Sequence, residues 1–247
     1  MPKIPAKVIT RLKNSIPQFK KVIEEAQKRD INESDTVTIV TDILSEVFGF
    51  DKYSEITREY AIKGTMCDLA VKVDGKLEYL IEVKSIGTEL KEAHARQAID
   101  YVSKVSDTNW VVLSNGNHWK IFKVTAQGMV TSELVYDFKF SELNHNKQAD
   151  QELIFLLCKL GMQKQLIEEF YDYKKSVNKF MIGAVLVSEP ILAALRRELR
   201  KVKPGLKVDI DEIKQILISE TLKREISEDD DFTKLSAMVK RIQNKKK

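Results

Sequence analysis

The residues best suited to chemistry lie in one stretch, Cys67–Lys84, CDLAVKVDGKLEYLIEVK. Two alternating runs flank Asp74-Gly75-Lys76, the pattern of two strands joined by a turn. A three-residue loop pairs Val73 with Leu77, Val71 with Tyr79, Leu69 with Ile81 and Cys67 with Val83, gathering apolar or weakly polar side chains on one face. On the other face that register sets Asp68 directly across from Glu82, with Lys84 two residues further along. A two-residue loop shifts the pairing by one and puts Asp68 beside Ile81, so the three-residue loop is expected. Opposed carboxylates repel and disfavour folding unless positive charge lies between them. A divalent cation such as Mg2+ meets that requirement, because hard ions take oxygen ligands and often need only one or two protein carboxylates. Lys84 is placed to hold or activate an attacking water. The plainer alternative is a solvated charged face on an edge hairpin, since most Asp, Glu and Lys lie on surfaces.

The neighbouring segments must position this hairpin. Residues 7–29 carry Val8, Ile9, Leu12, Ile16, Phe19, Val22, Ile23 and Ala26 near helical spacing, with Pro17 expected to kink or divide the helix. A second helix starts in Asn32–Asp35, with Ser34 or Asp35 as N-cap, buries a stripe from Val37 to Phe48 and stops at Gly49. Glu55–Ile62 reads as a strand joined to the hairpin by Lys63-Gly64-Thr65, where Lys63 is a candidate phosphate contact. After Ser85-Ile86-Gly87 a helix runs to about Val105, and Gln97 falls inside its apolar stripe of Leu90, Ala93, Ala98, Tyr101, Val102 and Val105. Trp110–Ser114, His118–Val124 and Met129–Phe138 are strands, the first two turning at Asn115-Gly116. These elements make an α/β domain: a mixed sheet of about six strands flanked by helices, with a helical C-terminal extension.

Asp68 followed by Glu82-Val83-Lys84 resembles the D…(D/E)xK signature of the PD-(D/E)XK nuclease superfamily. Glu33-Ser-Asp35-Thr36, Phe48-Gly49-Phe50, Glu59-Tyr60, Gln97 through Tyr101 and Leu113 through Trp119 occur in order around it, and the set is similar to the N-terminal nuclease domain of type I restriction enzyme R subunits over about residues 30–125. Cys67 stands where the superfamily name has proline. The resemblance implies a restriction-endonuclease-like fold and Mg2+ or Mn2+ held by Asp68, Glu82 and the Val83 carbonyl. It also implies that Lys84 orients the attacking water and that Gln97 hydrogen-bonds near the site. Glu33 is the candidate extra acid from the first helix and Glu46 its competitor; a helix-terminal acid favoured by the dipole is the plainer reading of Glu33. Glu59 matches an acid on the family's first strand, although a solvent-facing strand acid is the simpler reading.

Three segments follow: 1–29, helical and packed on the core; 30–140, the nuclease-like domain; and 141–247, the helical extension. In the extension Arg196, Arg197, Arg200, Lys201 and Lys203 form the densest basic cluster, a candidate for backbone phosphate with a solvated helix face as the alternative. A net charge of +4 permits a nucleic-acid partner without demonstrating one. Cys67 and Cys158 sit in apolar runs without metal-ligand spacing and read as buried free thiols of a reducing, cytoplasmic compartment. No apolar run is long enough to span a membrane, and no GxxxxGK[ST] phosphate loop occurs, so cleavage is expected to proceed without an ATPase motor in this chain or to depend on a partner. The function expected is a metal-dependent DNA endonuclease, with a homodimer or partner subunit favoured for cutting both strands. The alternative is a nuclease fold that grips nucleic acid or a protein partner without cutting.

Overall fold

The computed structural model describes residues 3–62, 65–103, 108–126 and 130–244. The chain forms two compact units, Met1–Glu169 and Phe170–Lys247.

The first unit opens with α1 (Ala6–Arg29), whose buried stripe is Val8, Leu12, Ile16, Phe19, Ile23 and Ala26. Pro17 lies inside this helix, so of the two outcomes expected of it, division does not occur. An interior proline costs about 3 kcal/mol, whereas each large apolar side chain taken from water returns about 1.5–3 kcal/mol, so the stripe wins. The next helix, α2 (Glu33–Asp42), is capped by Asn32, whose side chain accepts the Asp35 amide at 2.9 Å, rather than by Ser34 or Asp35. A wider turn at Ile43–Val47 closes with Phe48 N–H on Ile43 O at 3.0 Å. Gly49 ends it at φ +84°, with Arg11 donating to Val47 O at 2.9 Å and Phe48 O at 3.1 Å beside it.

Six strands follow in sheet order identical to chain order: β1 (Ile56–Ile62), β2 (Thr65–Val73), β3 (Lys76–Val83), β4 (Trp110–Ser114), β5 (His118–Thr125) and β6 (Thr131–Lys139). Only β3 and β4 pair in parallel, and α3 (Glu92–Val102) is the crossover between them. The β2–β3 hairpin therefore lies inside the sheet and is not an edge. It is also covered on both faces. Ala70 and Leu80 pack under α3 with Ala95, Ala98, Tyr101 and Val102. On the opposite face Tyr79 meets Phe50 edge-on at 5.9 Å and donates its hydroxyl to Leu157 O at 3.2 Å.

The turn differs from the one expected. Asp74 and Gly75 both have positive φ, 52° and 79°, and form a two-residue loop with Val73 facing Lys76 and Lys72 facing Leu77. Such a loop suits the twist of the strands it joins. The register then shifts between Val71 and Lys72, with Glu78 as the extra residue, and Val71–Tyr79 and Leu69–Ile81 pair as the side-chain pattern requires. The three-residue loop and the Val73–Leu77 pair are thus corrected, the Val71–Tyr79 and Leu69–Ile81 pairs stand, and the ladder ends at Leu69–Ile81, so the expected Cys67–Val83 pair does not form part of it.

In this unit α4 (Gln148–Phe155) and α5 (Lys159–Gln163) follow the sheet, so residues 141–169 lie in it although their composition groups them with the helical extension. The unit boundary falls within α6 (Leu166–Ser176). The second unit continues through α7 (Lys179–Leu186), α8 (Glu189–Val202), α9 (Ile210–Ile216, capped by Asp209), α10 (Arg224–Ser227) and α11 (Asp230–Asn244). Among the described residues no helix is long and apolar enough to cross a membrane.

A Cβ at Gly49 would meet the Arg11 guanidinium at 2.1 Å, in a left-handed conformation that costs an L-residue about 1–2 kcal/mol. Gly49→Ala is therefore expected to lower stability by at least ~1 kcal/mol, read as a fall in the urea midpoint. An unchanged midpoint would contradict the packing described.

Candidate active site

The parallel pairing of β3 and β4 ends at Val83 and Ser114, and Lys84 N–H donates to Ser114 O at 2.9 Å. This fixes the chain where Glu82, Val83 and Lys84 leave the sheet. Across the hairpin the Leu69–Ile81 pair places Asp68 beside Glu82. The Asp68 carboxylate takes the Val83 amide, with Oδ2 accepting it at 2.7 Å. Lys84 Nζ donates to Glu82 Oε1 at 2.8 Å and to the Val83 carbonyl at 3.0 Å. It also lies 3.5 Å from Glu33 Oε2, on the first residue of α2. Asp68, Glu82, Val83, Lys84 and Glu33 therefore meet at one place.

Burial sets the electrostatics. Glu82 is buried and Asp68 partly so. Desolvation pushes the Asp68 carboxyl above its usual 3.8, against the Val83 hydrogen bond and the Lys84 charge that pull it down. Desolvation likewise raises Glu82 above 4.5, against its hydrogen bond to Lys84, while the Asp68 charge adds to the rise. For Lys84 burial works to lower the pKa, but the hydrogen bond and charge of Glu82, with Glu33 and Asp68 behind them, leave it raised and the ammonium charged. Cys67, next to Asp68, is buried and free; burial and the charges of Glu82 and Asp68 push its thiol up to about 12. Cys158 is the other buried free thiol, so both cysteines match the sequence reading.

Glu59 is exposed, as a solvent-facing acid would be, but it is not remote. It stands between the Arg58–Leu69 and Tyr60–Cys67 pairs, opposite Asp68, with φ +49°, and its charge acts on Asp68. Glu46 is exposed on the far turn of its helix near Lys52.

Gln97 is not inside the apolar stripe. The buried residues of α3 are Ala95, Ala98, Ile99, Tyr101 and Val102, while Gln97 and Ala93 are exposed. Its amide still has partners: Nε2 donates to Met66 O and to the Tyr101 hydroxyl, both at 3.0 Å. Tyr101, which the sequence reading placed in the core, is buried, and its hydroxyl donates to Met66 O at 2.9 Å. The two side chains thus hold the start of β2, two residues before Asp68. Their i, i+4 spacing on one helix face is the signal that links them.

Lys63 lies outside the described residues. Arg196, Arg197 and Arg200 lie on α8 in the second unit, where Glu198 pairs with both Arg197 and Lys201. Among the described residues no three His, Cys, Asp or Glu side chains converge closely enough to hold one ion. The donor set at the hairpin is instead two carboxylates and a backbone carbonyl, all hard oxygens. That fits an ion that completes its shell with water and phosphate.

Residues 39–135 match the family model described as type I restriction enzyme R protein N terminus. The match takes in Asp68, Glu82, Lys84 and Gln97, leaves Glu33 outside, and is consistent with a restriction-enzyme N-terminal, nuclease-like domain, as the ordered motifs implied. No curated protein and no solved structure matches the chain.

Two outcomes follow from this geometry. Because both carboxyls are raised, the native protein binds more protons than the unfolded chain just above pH 3.8–4.5, and stability falls as pH rises through that window. In EDTA at neutral pH, Asp68→Asn, which keeps an acceptor for Val83, is expected to melt above wild type, with the difference vanishing below the window. A lower melting temperature at neutral pH would show that the carboxylate is stabilising and the burial argument wrong. Tyr101→Phe removes one hydrogen bond to Met66 O and one from Gln97, and is expected to cost about 1 kcal/mol in chemical denaturation.

Proposed function

We propose that this domain is a metal-dependent DNA endonuclease that hydrolyses phosphodiester bonds. One observation carries the reading: the Lys84 ammonium contacts Glu82 and the Val83 carbonyl at the point where Asp68 faces Glu82, so charge and hard-oxygen donors converge at the open end of the parallel strands. Substrates commonly bind outside the carboxyl ends of parallel strands.

In this reading Asp68, Glu82 and the Val83 carbonyl hold Mg2+ or Mn2+, with Glu33 available from α2. The bound ion would supply Lewis acidity at the scissile phosphate. Glu82 and the Val83 carbonyl aim the Lys84 Nζ, which orients the attacking water and offsets negative charge as it grows on the phosphate oxygens. Gln97 and Tyr101 keep β2 in place through Met66 O, which maintains the separation of Asp68 from Glu82. The raised carboxyl pKa values favour metal uptake as pH rises, because the carboxylates must first lose their protons.

The family description bears on the partner as well. A type I restriction enzyme R protein acts in a restriction system, so DNA is the substrate proposed here, with a second copy or a partner subunit for cutting both strands. The two protonated, buried thiols suit a reducing, cytoplasmic setting.

Plasmid, linear duplex and single-stranded DNA incubated with wild type, Lys84→Ala and Glu82→Gln in Mg2+, Mn2+ and EDTA test the proposal. Cleavage is expected with metal only and should fall by at least about a hundredfold in each variant, the scale of losing a group that stabilises transition-state charge. Metal-independent cutting, or full activity in Lys84→Ala, would falsify it. Tight DNA binding without cutting in any metal would favour a non-cleaving binding module instead.

A further inference from the structure

On the face of the sheet that α2 covers lies a small open cavity of about 210 Å3 lined by Thr38, Thr41, Lys52, Tyr53, Ile56 and Arg58. It is smaller than the roughly 300–1,000 Å3 of pockets that enclose small molecules. Its most unusual member is Tyr53, a large aromatic side chain left 93 % exposed. The turn that carries it is tied down by hydrogen bonds. Asp51 Oδ1 accepts the Tyr53 amide at 3.1 Å, the Ser54 amide at 2.8 Å and the Ser54 hydroxyl at 2.7 Å. Glu55 then holds the Asp51 amide at 2.8 Å and pairs with Lys159 at 2.6 Å. The backbone that carries the ring is thus held in one conformation, which lowers the cost of ordering the ring on a partner.

The charge beside it is also specific. Lys52 is engaged by Asp42 at 2.6 Å. Arg58 is exposed and, among the described residues, makes no ion pair. It sits on β1 next to Glu59, the residue opposite Asp68. Buried Ile56 contributes an apolar side chain to the same cavity. Thr38 and Thr41 lie beyond Glu33 on α2, about 8–12 Å along the helix axis.

We propose that Tyr53 and Arg58 form a shelf for an unpaired stretch of DNA strand, on which a base stacks against the Tyr53 ring and Arg58 meets the adjoining phosphate. The proposal rests on the reading of Asp68, Glu82 and Lys84 as a nuclease centre, which supplies the strand to be held. Every base offers a π-face, so stacking selects unpaired over paired strands without selecting sequence. In duplex DNA the bases are stacked on one another and the ring has no face to take.

Fluorescence anisotropy in EDTA, where metal-dependent cutting is silent, tests the shelf with a labelled single-stranded oligonucleotide and the corresponding blunt duplex. Tyr53→Ala is expected to weaken single-strand binding on the order of tenfold, the scale of one lost stacking contact, while Tyr53→Phe keeps wild-type affinity. Arg58→Ala should weaken it too and lower the salt slope by about one. Duplex binding should be little changed by Tyr53→Ala. Wild-type affinity and salt slope in both alanine variants overturn the proposal, as does absence of single-strand binding by the wild type or a loss in Tyr53→Phe equal to that in Tyr53→Ala. The nuclease reading fails separately: single-strand binding that depends on Tyr53 and Arg58, in a protein that cuts nothing with Mg2+ or Mn2+, removes the chemistry and leaves the shelf.

Discussion

The first unit depends on holding two carboxylates side by side in a half-dry place. Asp68 and Glu82 come from adjacent strands in the interior of a sheet covered on both faces, which buries Glu82 and half-buries Asp68. Their repulsion is offset locally by the Val83 amide on Asp68 and the Lys84 ammonium on Glu82. Those two contacts come from consecutive residues just after Glu82, and both depend on the β3–β4 pairing that fixes the backbone there. The crossover helix α3 follows from the same constraint, because a parallel neighbour for β3 cannot be reached by a tight turn.

Around that centre the supporting contacts are layered. Met66 O accepts from both Gln97 and Tyr101, which ties the start of β2 to α3. Glu33 approaches Lys84 from α2, and the left-handed Glu59 faces Asp68 from β1. Three separate elements thus place acid or amide groups around one hairpin, and Lys84 pairs with two of the acids, Glu82 and Glu33. The arrangement raises both carboxyl pKa values and leaves the lysine charged, a pattern of perturbed neighbours more frequent at functional sites than elsewhere.

Much of this was legible in the sequence for identifiable reasons. The strands alternate cleanly, and Asp68 could be placed opposite Glu82 because only one register keeps Leu69, Val71, Tyr79 and Ile81 on a common face. The turn was not legible, because side-chain patterning fixes which residues share a face but not where an extra residue is taken up. Asp74-Gly75 satisfied its own local preference, and Glu78 absorbed the difference. Gln97 was misplaced for a related reason: a stripe inferred from Ala93 and Ala98 tolerates an error of one position, which rotates a helix face by about 100°. Asn32 was overlooked as a cap because Ser34 and Asp35 are equally good capping types a residue or two further on.

The bulge at Glu78 separates two halves of the hairpin that would otherwise be locked together. Strand alternation normally transmits any one-residue change in a turn along the whole ladder and inverts every side chain beyond it. Here the slack already lies between the turn and the carboxylates. The tip at Asp74-Gly75 can therefore vary in length through evolution, or accept a grafted loop, with the bulge gained or lost in compensation. Tip and reaction centre are accordingly free to diverge on different schedules, although only a few residues of continuous strand connect them.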